Sequence, residues 1–267
     1  MELFFWIVLI SIAVIAVILL LLALSEPHRP EFTTIDFKGS KKPNLRVLFF
    51  TDLHSDICFI KSDYIINLIR CENPDAVIFG GDITVNMKYF DKGTAFLNQI
   101  RDCCRELNIP FYGVTGNHDF YLTPEQEAQA GFDNLENRFE FIEGKDGTKY
   151  VLSGVDDSGR DERVWYEPVE VPDGFTHILV VHDPDAVLHF ASLEGIDYVL
   201  SGHIHGGQVR TPFGLEFIIR NDELPKKGIF AGIHSFGNTK VFISRGIGCS
   251  RLPIRLGSRP EVSIIEF

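Results

Sequence analysis

Ser201-Gly202-His203-Ile204-His205-Gly206-Gly207 sets two imidazoles one residue apart, bracketed by glycines and preceded by the apolar run Tyr198-Val199-Leu200. In an extended segment, residues i and i+2 share a face roughly 6.5 Å apart, at about 3.3 Å per residue. That spacing suits one ligand for each of two neighbouring metal ions, which lie roughly 3.5–4 Å apart in hydrolases that clamp a phosphoester. The flanking glycines let backbone and substrate come close. Alone, His-x-His reads more readily as two polar residues at a strand end. Four further stretches carry groups of the same kind: Thr51-Asp52-Leu53-His54, Gly80-Gly81-Asp82, Gly116-Asn117-His118-Asp119 and His182-Asp183. Motifs for Ser or Cys nucleophiles, Walker-type loops and dinucleotide-binding glycine patterns are absent. His28, His177, His189 and His234 have no motif partner and read as ordinary residues.

Each of the five stretches follows an apolar run that predicts a buried strand. These runs are Leu45–Phe50, Ala76–Phe79, Phe111–Thr115, His177–Val181 and Tyr198–Leu200. Apolar residues at helical spacing predict helices over Lys61–Cys71 and Tyr89–Leu107, although Gly93 weakens the first turn of the latter. Thr123-Pro124-Glu125-Gln126 has the form of an N-cap followed by proline at the first helical position. A Gly-Lys-Asp-Gly turn at Gly144–Gly147 predicts a hairpin, and Val241–Ile243 and Val262–Ile265 read as closing strands. In sheets with helical crossovers, ligands bind beyond the carboxyl ends of the strands, so five ends meeting there would make one site. Alternating strands and helices followed by strand-rich sequence from about Tyr150 suggest two sheets packed together under helices.

The five motifs, in this order from about Arg46 to His205, resemble the calcineurin-like metallophosphoesterases. The resemblance implies an α/β four-layer αββα sandwich of two mixed β-sheets flanked by helices, holding two divalent metal ions. It further implies Asp52, His54 and His205 at the first metal, Asn117, His182 and His203 at the second, and Asp82 bridging them. The nucleophile would be water. Mixed nitrogen and oxygen ligands suit Mn, Fe or Zn without choosing among them. His118 matches a family residue that acts without binding metal, donating to a phosphoryl oxygen or the leaving group, with Asp119 available to orient its imidazole. The other reading of His118 is a third ligand or a buried polar residue. An N-terminal apolar segment, His205-Gly206-Gly207-Gln208, Ser244–Gly248 and Leu252–Arg255 look like the small bacterial membrane-bound branch of the family. Some relatives in that branch are UDP-2,3-diacylglucosamine pyrophosphatases of lipid A synthesis, which makes such a compound a candidate substrate.

From Leu3 to Leu24 every residue except Ser11 is apolar, and these 22 residues span roughly 33 Å at about 1.5 Å each, enough to cross a bilayer core. The segment is too long for a signal peptide and has no basic residues ahead of it, so a retained transmembrane anchor over 1–24 is expected. Residues 25–44, with Pro27, Pro30 and Pro43, read as a linker or an edge segment, and 45–267 as the catalytic domain. Arg29, Lys38, Lys41 and Lys42 follow the helix, which puts the domain in the cytoplasm. Five cysteines with no paired spacing agree with a reducing compartment.

A formal charge of −12 excludes a nucleic-acid binder that works by neutralising phosphates. Residues 210–260 nonetheless carry nine basic residues against three acids, which reads either as a solvated face, the commoner case, or as a face for anionic lipid headgroups or substrate. Arg245, Arg251 and Arg255 are the substrate-binding candidates there. The expected partners are therefore the bilayer and a phosphoester, lipid-linked in the sharpest version. A phosphomonoesterase or phosphoprotein phosphatase is the alternative. A membrane-tethered scaffold without activity fits less well, because no ligand is missing from the motifs.

Overall fold

The computed structural model describes residues 1–37, 39, 43–155, 167–210 and 222–267. It begins with α1 (Glu2–Ser25), which runs into a 3-10 turn at Glu26–His28 and is long and apolar enough to cross a membrane. The chain then forms β1 (Glu31–Asp36), β2 (Arg46–Phe50), α2 (Ser62–Glu72), β3 (Ala76–Phe79), α3 (Phe90–Leu107), β4 (Phe111–Gly113) and α4 (Pro124–Gln129). After it come β5 (Asp133–Asn134), β6 (Phe139–Glu143), β7 (Lys149–Val155), β8 (Thr176–Val181) and β9 (Tyr198–Ser201). The chain closes with α5 (Glu223–Lys226), β10 (Gly232–Phe236), β11 (Thr239–Ile243) and β12 (Glu261–Glu266).

Two six-stranded mixed sheets result, ordered β1-β12-β2-β3-β4-β5 and β10-β11-β9-β8-β7-β6. The strands that lead to the five motifs are central and parallel: β2, β3 and β4 in one sheet, β8 and β9 in the other. Their side chains alternate between two apolar environments, as the two-residue period of a strand requires. Leu48, Phe50, Val77 and Phe79 face α2 and α3, where they meet Ile65, Ile69, Leu97 and Ile100. Val47, Phe49 and Ile78 face the opposite sheet and pack on Ile178, Val180, Leu200 and Phe242. The outer face of the second sheet is covered by a 3-10 turn at Pro184–Leu188 and by α5, through Ala186, Val187 and Leu224. The expected four layers are present, and among the described residues the fourth is thin.

The expected elements recur with small shifts of boundary. Thr123 caps α4 in a reciprocal capping box with Gln126. Gly93 lies within α3, where a Cβ would come 2.6 Å from Ile83 Cγ2, so the residue that weakens the helix lets it approach the Asp82 loop.

The linker reading of 25–44 needs correction, because β1 lies inside it and pairs in parallel with β12 from Glu31↔Glu261 to Asp36↔Glu266. The edge-segment alternative is the one the chain adopts. Lys38, Lys41, Lys42, Glu216 and Arg220 of the charge reading lie outside the described residues.

Candidate metal centre

β2, β3, β4, β8 and β9 all end on the same rim, and the expected ligands meet there. Asp82 shows the geometry most directly: its Oδ2 lies 3.2 Å from His54 Nε2 and 3.2 Å from His182 Nε2. One carboxylate oxygen is thus equidistant from a ring nitrogen of each expected set.

On one side, His54 Nε2 and His205 Nε2 are 3.0 Å apart, with Asp52 Oδ1 3.3 Å from His205 Nε2. On the other, His203 Nδ1 is 3.3 Å from His182 Nε2. The His182 Nδ1–H donates to the Gly80 carbonyl at 2.7 Å, which fixes the tautomer and leaves Nε2 to face the centre. Asn117 Oδ1 is buried without a hydrogen-bond partner. A buried orphan acceptor is costly in a protein interior, and a cation is what such an oxygen would satisfy. Asp52-His54-His205 and Asp82-His182-His203 each bring three ligand atoms together, which fits two metal ions.

The two histidines of the opening motif reach separate clusters by a different route from the extended one expected. β9 stops at Ser201, and His203 and His205 both take left-handed backbone conformations, with φ of 67° and 54°. Asp52, His54 and Asp82 do the same, at 55°, 39° and 63°. Five of the seven candidate ligands therefore sit in a region that non-glycine residues seldom occupy, a strain that tends to concentrate at functional sites. The glycines act as expected. A Cβ on Gly81 would come 2.8 Å from His182 Nδ1, and one on Gly246 would come 2.6 Å from Asp52 Cβ.

His118 donates its backbone N–H to Asp82 Oδ1 at 2.9 Å, and its ring lies 5.2 Å from that of His54, edge to face. It also stands close enough to His54 and Asp82 to form a third possible ligand group, so position alone leaves both of its readings open. Asp119 is occupied elsewhere. Its Oδ2 accepts from the N–H of Asp82 at 2.8 Å and of Gly116 at 2.9 Å, and its Oδ1 from that of Ile83 at 2.9 Å. Through these three backbone donors it braces the bridging loop.

Burial would raise the Asp82 carboxyl, but His182, His118 and His54 around it hold it well below the usual carboxylate range. Burial and the neighbouring Asp82 charge push Asp119 up to about 7, against the backbone donors that favour its ionised form.

Two of the three arginine candidates are engaged within the protein. Arg255 is fully buried; its guanidinium donates to the carbonyls of Gly246, Gly248 and Ser258, and its NH2 group lies 3.2 Å from His205 Nδ1. Arg245 pairs with Glu31 at 2.7 Å and Glu261 at 3.1 Å. Both guanidiniums are paired within the fold; of the three, only Arg251 is exposed.

Two partners of His203 were not foreseen. Asp183 and Asp222 carboxylates lie 3.7 and 3.6 Å from its Nε2, on the side away from His182. Asp185 accepts from the N–H groups of Glu223 and Leu224 at the start of α5, which returns Asp222 to this place. Asp183 directly follows His182 in one of the five motif stretches, whereas Asp222 carries no local signal.

Comparison with known proteins identifies the family. Residues 45–207 match the family model described as calcineurin-like phosphoesterase, and the chain belongs to that family. It is 30% identical to the uncharacterized metallophosphoesterase YkuE of Bacillus subtilis (strain 168), over 91% of this chain and 87% of that protein. It is 28% identical to the phosphodiesterase YaeI of Escherichia coli (strain K12), over 90% of this chain and 86% of that protein. A transmembrane protein with metallophosphoesterase domain from Bos taurus is 26% identical, over 90% of this chain and 57% of that protein.

Proposed function

We propose that the chain is a membrane-anchored, dinuclear-metal hydrolase of a phosphodiester or pyrophosphate bond, acting on a lipid-linked substrate of which UDP-2,3-diacylglucosamine is one candidate. The observation that carries the metal chemistry is the Asp82 oxygen equidistant from the Nε2 atoms of His54 and His182. Asp52, His54 and His205 would hold one ion, Asn117, His182 and His203 the other, and Asp82 both. Bound there, two ions supply the charge that steadies phosphoryl oxygens and the lowered pKa that makes water a nucleophile at neutral pH.

The chain's own residues do the rest. Asp82, kept ionised by the imidazoles around it, holds the two ligand sets in register, and Asp119 fixes the loop that presents it. His118 hands its imidazole proton to the leaving oxygen. The fixed rings and left-handed turns organise the site before substrate arrives.

Support for a diester comes from the similarity to YaeI, a protein named as a phosphodiesterase. Support for anchoring comes from α1 and the similarity to a transmembrane protein. A cytoplasmic domain is favoured by Arg29 and the lysines after α1.

The test is turnover by the full chain in nanodiscs of bis-p-nitrophenyl phosphate, p-nitrophenyl phosphate and UDP-diacylglucosamine, with Mn, Fe or Zn supplied and metal content measured. Metal-dependent cleavage with a higher kcat/KM on the lipid than on the monoester is expected. Equal efficiency on all three would leave a general phosphoesterase. Labelling of the exposed Cys71 in intact cells by an impermeant thiol reagent would reverse the orientation.

A further inference from the structure

An α-helical carbonyl normally accepts from the N–H four residues on. For Ala23 that residue is Pro27, which has none. The vacancy is filled from the catalytic domain: the Arg255 backbone N–H donates to the Ala23 carbonyl at 3.0 Å, and Ala23 is buried where most of α1 is exposed. Around it the Ser258 N–H donates to Glu26 Oε2 at 3.4 Å, and the His28 and Phe59 rings meet at 4.3 Å, tilted by 45°. The end of α1 is therefore built into the domain.

Ala23 belongs to the apolar run, so the segment that grips it stands level with the last turn of the helix. That segment presents Arg251, Leu252 and Pro253 outward, with Leu252 51% exposed and Phe59 40% exposed beside the helix end. Its shape is imposed from within. The buried Gln208 side chain accepts from the Ser250 N–H at 2.8 Å and donates to the carbonyls of Ser250, Leu252 and Ile254 at 3.0–3.1 Å. A buried amide devoted to holding apolar side chains out in water would be an odd use of it. Apolar tips with one arginine, level with a helix end, suit the boundary between headgroups and acyl chains.

We propose that residues 251–254, with Phe59, form an interfacial surface that rests in the headgroup layer of the bilayer crossed by α1. Arg255 joins this surface to His205, so the metal centre stands one arginine side chain from the membrane plane and meets phosphoryl groups carried in that plane. The proposal rests on α1 crossing the bilayer, and the experiment separates the two.

In full-length protein carrying Cys71→Ser, single probes at Ile15→Cys, Leu252→Cys and Lys145→Cys are labelled with an environment-sensitive fluorophore. The protein is then placed in phosphatidylcholine and phosphatidylglycerol vesicles containing spin-labelled lipid. Strong quenching at residue 15, clear quenching at residue 252 and little at residue 145 is the expected result. Quenching at 15 with no more at 252 than at 145 overturns the interfacial surface and leaves the span standing. Absence of quenching at 15 overturns both. Hydrolysis of a soluble diester by the same samples reports on the catalytic reading independently.

Discussion

Asp119 Oδ2 accepts from the backbone N–H of Asp82 at 2.8 Å, so the one carboxylate that faces both ligand sets is itself held through its main chain by a second, buried carboxylate. Asp119→Asn keeps the volume but exchanges one acceptor oxygen for a donor, which sets an N–H against the N–H of Ile83 or of Asp82 and Gly116. An unsatisfied buried donor costs about 1–3 kcal/mol. A small displacement of Asp82 would lower kcat by about tenfold or more. Thermal unfolding together with single-turnover rates checks this; a variant with unchanged rate would show that the brace is dispensable.

Asp82 and His118 should separate cleanly. Asp82→Ala removes a carboxylate that serves both ion positions and should empty both. His118→Ala should keep metal content near wild type and lower kcat by about 10²- to 10⁴-fold, the usual reach of general-acid help. Elemental analysis of the purified variants decides between the two readings of His118, since depletion as severe as that of Asp82→Ala would make it a ligand.

The strands that carry the site were legible because buried parallel strands are short continuous apolar runs, and each ends on its polar group at a point the sequence marks with glycine or a charge. β1 was not legible. Glu31-Phe32-Thr33-Thr34-Ile35-Asp36 has mixed polarity between prolines, and only its pairing with β12, more than two hundred residues away, makes it a strand. Charge was misleading for the same reason of distance. Arg245 and Arg259 read as basic surface, yet both pair with Glu31 across the sequence. The candidate ligands could be picked out by motif order, whereas the residues that brace them could not. Asp222 reaches His203 from a segment with no signal of its own, and the motif that contains Arg255 did not reveal its contact with His205.

Arg255 is expected to act on stability and on His205 rather than on substrate choice. Arg255→Lys keeps a charge but loses the fork that reaches three carbonyls and the imidazole. Tm should fall, and kcat/KM should fall by the same factor on lipid and soluble substrates. Arg251→Ala, at an exposed position, should leave stability within about 0.5 kcal/mol. A loss confined to the lipid substrate in Arg255→Lys would restore its role as a substrate residue.

His177 gives the fold an acid limit independent of the metal ligands. Its Nδ1–H donates to the Gly195 carbonyl at 3.2 Å, and its Nε2 accepts from the Ser153 hydroxyl at 2.6 Å, an arrangement that suits the neutral ring. Burial lowers its pKa below the ordinary 6.5, with the Gly195 carbonyl and Asp197 opposing. The unfolded chain then binds the proton more readily than the folded one, so this contribution is complete above about pH 6.5 and is lost as pH falls toward the folded value. Between those limits the slope is at most about 1.4 kcal/mol per pH unit. His177→Gln lacks the titration and should be less stable than wild type at pH 7.5, with the gap narrowing as the pH is lowered from 6.5 to 5. Denaturant unfolding of both proteins across that range is the measurement, and because acid release of metal is common to both it cancels in the difference. A gap that stays constant with pH would show that His177 is not the titrating group.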